Sequence, residues 1–323
     1  MHPWMVKAGV QFVLAHIPYG EHVNHLLQRW KGRHSPSAVA MTVKNYAARV
    51  RALDQHKSME HAVVLEIGTG WTPHSALLFY LLGASKIHTY DHVRHLRPSL
   101  VKLVVESMTA QATEIADIIG RPHDLVLGRL RALRAHDDMD ALLAAAGICY
   151  HAPGDAGASG LADCSVDLIY SYAVLEHVSQ DVLDRITKES KRVLKSDGIA
   201  YHGIGIHDHY AGPHVSKVNF LRYPEWAWRL VIQNKISYHN RMRECQFLDT
   251  FRTHGARFER VWSETDPADL AQVRTMKVDH QFASFTPEEL AVTHTEVIMT
   301  FGGGTQVEPV LLAGRASPGV DSN

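Results

Sequence analysis

The chain has 323 residues, enough for one large domain with an appendage, and its 46% hydrophobic and 21% charged content fits a folded globular protein. A formal net charge of −1 gives no basic surface for nucleic acid. The apolar N-terminal stretch is interrupted by His2, Lys7, Gln11 and His16 and lacks a basic start and cleavage site, so neither a signal peptide nor stable membrane insertion is expected, and an amphipathic helix packing on the body, or making a weak peripheral membrane contact, is. Three cysteines, Cys149, Cys164 and Cys245, form no CxxC pair and read as free thiols in a reducing, cytoplasmic setting.

Residues 1–60 predict an N-terminal helical segment. Leu26, Leu27 and Trp30 share a helical face ahead of a Lys-Gly-Arg-His-Ser-Pro-Ser loop, and Val39, Val43, Ala47 and Val50 recur at helical spacing over Ser37–His56. From Ala62 strands and helices alternate. Ala62–Ile67 is a short aliphatic strand ending in a glycine-rich turn, Thr72–Leu82 a helix stopped by Gly83, and Lys86–Tyr90 a second strand. Helix is predicted from Pro98 to about Ala145, broken at Gly120-Arg121-Pro122. Val166–Ser171 is a strand, Gln180–Leu194 an amphipathic helix, and Asp197-Gly198 a turn into the strand Ile199–Ile206. This alternation predicts an α/β fold with a mostly parallel sheet and helices on both faces. The main domain is expected over 61–314, with an inserted helical lid over about 211–252 and a flexible tail at 315–323.

The first strand runs into Glu66-Ile67-Gly68-Thr69-Gly70-Trp71-Thr72-Pro73, and Asp91 closes the next strand 21 residues after Gly70. Glycines at a strand-to-helix turn let the backbone approach a ligand, and an acid at the end of the next strand suits ribose hydroxyls. No Gly-Lys-Ser/Thr follows to hold phosphates, and Pro73 stands where a dinucleotide fingerprint carries its third glycine. An adenosine without phosphate fits what is left.

These motifs together resemble the class I S-adenosylmethionine-dependent methyltransferases with a Rossmann-like fold, over roughly Ala62 to Phe301, and of the bacterial small-molecule type. The resemblance implies that Glu66, Gly68, Thr69 and Gly70 cradle the methionine part of S-adenosylmethionine and that Asp91 binds the ribose, with His92 at the adenosine edge. Asp155-Ala156 falls where the family places an acid against the adenine amino group. Ser165–Ser171 followed by Val174-Leu175-Glu176-His177-Val178 resembles the fourth motif, which adds Ser171 and Tyr172 to the cofactor residues. Arg192–Gly198 resembles the approach to the fifth strand. Thr72 departs from the family where many members carry a third glycine, and the bulky Trp71 either stacks near the methionine tail or packs under the loop.

Ligands of open α/β sheets lie beyond the carboxyl ends of the strands, which draws in the segment His207-Asp208-His209-Tyr210. In-line methyl transfer needs an aligned nucleophile, and an oxygen or nitrogen acceptor often needs a base, for which histidine suits neutral pH. His207, Asp208, His209 and His177 are therefore the catalytic candidates. They read equally as polar residues ending a strand, and His207, Asp208, His209 and His214 match no strong metal template, so no metal is assigned. Tyr210, His239, Arg241 and Arg243 are the substrate candidates, the arginines suiting an acidic small molecule or, equally, a solvated or structural ion pair. Phe220, Tyr223, Trp226 and Trp228 form either an apolar lid wall or core. The expected reaction is methyl transfer to an oxygen or nitrogen of a small molecule; the alternatives are a cofactor-binding non-catalytic or regulatory subunit, or a metal-assisted methyltransferase.

Overall fold

The computed structural model describes residues 35–231 and 238–302, together with Gly9. The expected N-terminal amphipathic helix, the face carrying Leu26, Leu27 and Trp30, and the tail at 315–323 lie outside these residues. Seven strands form one sheet in the order β3-β2-β1-β4-β5-β7-β6. Parallel pairing of β1 (Val63–Ile67) with β2 (Lys86–Tyr90) and β4 (Val166–Tyr172), and of β2 with β3 (Ile148–His151), makes this the expected mostly parallel, Rossmann-like α/β fold. The chain divides into two compact units.

The described residues of one unit are 35–171 and 188–201. Its first helix, α1 (Pro36–His56), starts where Ser35 accepts the Ala38 N–H and Pro36 occupies the first turn, and it buries Val39, Val43, Ala47, Val50 and Leu53. Helix α2 (His74–Leu82) is buried along nearly its whole length and ends at Gly83, whose φ of 105° is left-handed. The long helical region expected after Pro98 is four helices: α3 (Pro98–Ala110), α4 (Ala112–Ile119), α5 (His123–Arg134) and α6 (Met139–Ala145). The break at Gly120 is the expected one; a second follows α3 at Gln111, and a third precedes α6, where Asp138 caps the new helix by accepting the Ala141 N–H.

Strand β3 has four residues, of which only Ile148 is fully buried, so its sequence carries no alternation to announce it. Strand β5 (Leu194–Gly205) also departs from expectation: it follows α7 (Gln180–Val193) directly and runs through Asp197-Gly198 without a turn. A Cβ on Gly198 would lie 2.9 Å from Leu194 and 3.1 Å from the Asp167 carbonyl oxygen, so the glycine serves close packing in an extended strand. Lys57 holds Asp197 through its backbone oxygen at 2.6 Å and its carboxylate at 3.0 Å.

The described residues of the other unit are 172–187, 202–231 and 238–302, with Gly9. It contains α8 (Glu225–Val231), α9 (Glu244–Thr253), β6 (Arg257–Thr265), α10 (Pro267–Thr275), α11 (Pro287–Ala291) and β7 (Val292–Thr300), with β6 and β7 antiparallel. Tyr210, Val218, Phe220, Leu221, Trp228, Val273, Phe282 and Leu290 form its apolar core. Among the described residues no helix is long and apolar enough to cross a membrane.

Candidate cofactor site and histidine group

In the first unit the turn after β1 is set by Gly68 and Gly70, with φ of 83° and 66°, a conformation that costs an L side chain roughly 1–2 kcal/mol. The Gly68 N–H donates to the Tyr90 carbonyl at 2.8 Å, which fixes the turn to the end of β2. At the same strand end Asp91 Oδ2 accepts the Gly70 N–H at 2.9 Å, and Asp91 Oδ1 lies 3.1 Å from His92 Nδ1. Burial alone would raise the Asp91 pKa, but the hydrogen bonds from His92 and Gly70 and the adjacent His95 outweigh it and hold the carboxyl below its ordinary range. Asp91 is thus an anion held by the turn it faces.

Strand β3 adds a support that the sequence did not announce. The Asp91 N–H donates to the His151 carbonyl at 3.0 Å, and the Gly154 N–H donates to the Asp91 carbonyl at 2.8 Å. A Cβ on Gly154 would sit 2.6 Å from the His151 oxygen, so glycine is needed for this approach. Just beyond, Asp155 accepts the Gly157 N–H at 2.8 Å and buried Ala156 begins a short 3-10 turn.

Glu66 is buried and accepts the Thr89 hydroxyl at 2.7 Å, while Thr89 and Thr69 share a 2.5 Å hydroxyl contact. Desolvation pushes the Glu66 pKa up to about 7, against the lowering effect of Thr89 and Ser75. Trp71 packs on the ring of His95, with centroids 4.5 Å apart, which settles it against the protein's own imidazole. His95, to which sequence reasoning gave no role, touches both Trp71 and the Asp91 carboxylate, at 3.9 Å. Ser171 is fully buried. A Cβ on Gly70 would meet nothing within 4 Å, so the turn has open space above a left-handed backbone, with an anion beside it. An anion there suits ribose hydroxyls and would repel a pyrophosphate, so the cradle fits a phosphate-free nucleoside better.

In the second unit His177, His207, His209 and His239 come together. Ring centroids lie 4.9 Å apart for His177 and His209, 5.3 Å for His207 and His209, and 4.4 Å for His209 and His239. Two of the rings are oriented by backbone carbonyls, which only accept: His177 Nδ1 lies 2.7 Å from the Tyr238 oxygen and His207 Nδ1 lies 3.3 Å from the Thr293 oxygen. Both therefore donate from Nδ1, which leaves Nε2 as the ring nitrogen turned elsewhere. Burial lowers the His207 pKa to about 4, and burial with the neighbouring imidazoles holds His239 well below its ordinary value.

The turn Leu175–His177 is stitched in place by Asn240, whose side-chain amide donates to the Leu175 and Val178 carbonyls at 2.9 Å each. Glu176 is buried, and its Oε1 accepts the Gly205 N–H at 3.2 Å. Asp208, also buried, turns back to accept the Tyr210 N–H at 2.8 Å, bracing the loop it begins.

The arginines expected to face an acidic substrate are turned inward. Arg241 is buried, donates to the Phe220 and Tyr223 carbonyls at 3.2 and 2.7 Å, pairs with Glu225 and lies over Trp228. Arg243 is fully buried and donates to the Ile206 and Val292 carbonyls at 3.1 and 2.6 Å. Both guanidinium groups bind the chain itself, because a stretch without its own ladder leaves carbonyls that need donors. Of the aromatic group, Phe220 and Trp228 are core, Tyr223 is half-buried, and Trp226 is 71% exposed.

Residues 122–202, from the start of α5 to within β5, match the family model described as a methyltransferase domain. Over that stretch, about a quarter of the chain, the protein is similar to methyltransferases. The chain is similar to a solved S-adenosylmethionine-dependent methyltransferase from Mesorhizobium loti, at 18% identity and a TM-score of 0.43, covering 78% of this chain and 97% of that one. It is also similar to a TehB-like S-adenosylmethionine-dependent methyltransferase from Corynebacterium glutamicum, at 12% identity and a TM-score of 0.38, covering 87% and 98%. No curated protein matches the chain by sequence.

Proposed function

We propose that this protein is an S-adenosylmethionine-dependent methyltransferase that moves the methyl group to an oxygen or nitrogen of a small molecule, leaving S-adenosylhomocysteine. Glu66, Gly68, Thr69 and Gly70 hold the methionine part and Asp91 holds the ribose, with Trp71, His92, Asp155, Ala156, Ser171 and Tyr172 completing the cofactor residues. The hydrogen bond from Gly70 to a carboxylate kept anionic carries this reading, because an ionised acid accepts both ribose hydroxyls.

His207 supports the choice of oxygen or nitrogen. It is neutral at physiological pH, and its Nδ1–H is engaged at Thr293, so Nε2 is the atom able to take a proton. In the step, the sulfur–methyl bond breaks as the acceptor–methyl bond forms, and the acceptor's proton passes to His207. Asp208 holds the loop, and His177, His209, Tyr210 and His239 shape the acceptor side; residues 211–252 serve as the insertion that carries part of it.

Incubation with methyl-labelled cofactor and panels of phenols, amines and carboxylic acids, read by mass spectrometry, tests the reading. Labelled product that falls steeply in His207→Gln at unchanged cofactor affinity is the expected result. Tight S-adenosylhomocysteine binding with no labelled product in any class would favour the non-catalytic, regulatory role.

A further inference from the structure

Glu176, His177 and His209 each turn one ligand-capable atom to a common point, with those atoms all within 4.8 Å of one another. We propose that these three residues form a binding site for a divalent first-row transition metal ion. Two imidazoles and one carboxylate suit zinc, cobalt, manganese or ferrous iron, and the absence of thiolate among them argues against cuprous copper or a cluster. Three protein ligands leave at least one position open, the pattern of a reactive rather than a purely structural site.

Independent features of the site point the same way. Glu176 is 2% exposed, and its Oε2 has no hydrogen-bond partner although its Oε1 is held by Gly205. A buried carboxylate oxygen left in that state costs free energy that a cation would recover. His177 donates its Nδ1–H to a backbone carbonyl at 2.7 Å, which is how metal-bound histidines are oriented and their other nitrogen made more basic. His177 itself is exposed, which supplies an entry path, while Glu176 is buried and His209 half-buried. A tetrahedral ion with bonds of about 2.1 Å needs ligands roughly 3.4 Å apart, so atoms within 4.8 Å of one another need draw in by at most about 1.4 Å on binding. Glu176 and His177 are adjacent, but His209 is 32 positions further on, beyond β5, so no spacing motif announces the set.

The site goes beyond the acceptor chemistry proposed above and its test uses no turnover. The untagged full-length chain is stripped with chelator, then titrated with cobalt(II), followed by visible absorption, and with zinc(II), followed by calorimetry. One saturable equivalent is expected, with a cobalt spectrum of nitrogen and oxygen ligation. His209→Gln and Glu176→Gln should each weaken binding by at least roughly tenfold, as loss of even an outlying supporting group does elsewhere. His123→Gln and His254→Gln, which remove imidazoles outside the group, should bind as the parent does. Circular dichroism and S-adenosylhomocysteine affinity report whether each variant is folded; His209→Gln, the half-buried ligand, decides the matter if Glu176→Gln unfolds. No saturable equivalent, or parent-like binding by folded His209→Gln, overturns the site whether or not the acceptor proposal stands.

Discussion

The backbone N–H of Gly70 and the carboxylate of Asp91 meet at 2.9 Å across the ends of two parallel strands. The contact ties the glycine turn to the acid and helps keep that acid charged, together with His92. Asp91→Ala removes both the proposed ribose partner and the brace. Charged hydrogen bonds contribute about 1.5–3 kcal/mol each, so affinity for S-adenosylhomocysteine should fall by roughly tenfold or more. Calorimetry giving an unchanged Kd would remove Asp91 from the site.

Gly70→Ala separates backbone strain from cofactor access. No protein atom lies within 4 Å of the new methyl, but φ is 66°. Stability should therefore drop by only about 1–2 kcal/mol in urea unfolding, while cofactor affinity drops more than tenfold because the methyl enters the cradle. Equal affinity in parent and variant is the outcome that contradicts a cradle there.

Glu66 makes a pH prediction. Its folded pKa is raised to about 7 by burial, so the folded state holds a proton that the unfolded chain loses near 4.5. That contribution is fully present below pH 4.5 and is lost as pH rises toward 7. Glu66→Gln removes the dependence. The melting temperature of the variant should rise relative to the parent between pH 5 and pH 8, and a constant difference across that range counts against it.

Glu225 neutralises Arg241, whose side chain is only 2% exposed. Glu225→Ala leaves that guanidinium uncompensated in the interior, at a cost of about 2–3 kcal/mol, near the lower end for a broken buried pair because Glu225 is half-exposed. Arg241→Lys should fail to restore the parent, since an ammonium offers no planar fork for the Phe220 and Tyr223 carbonyls and no flat face for Trp228. Urea midpoints of the two variants check both statements.

Strand and helix alternation after Ala62, the glycine turn and Asp91 were legible in the sequence, because each depends on neighbours in the chain. Lys86–Tyr90 needed only its own alternation and its flanking Gly83. Strand β3 was not legible: four residues with one fully buried carry no period, and it forms by pairing with β2 and closing on Asp91 through Gly154. The direction of Arg241 and Arg243 was equally hidden. Their sequence context suits an acidic substrate, and only the folded chain brings carbonyls from residues 206, 220, 223 and 292 to them.

The sequence by itself determined the class of the fold, since local periodicity encodes it. Only the tertiary structure decided how Asp91 is held, what Trp71 rests on and which residues converge at Glu176. Those are contacts between positions far apart in the chain, and their geometry exists only once burial has brought them together.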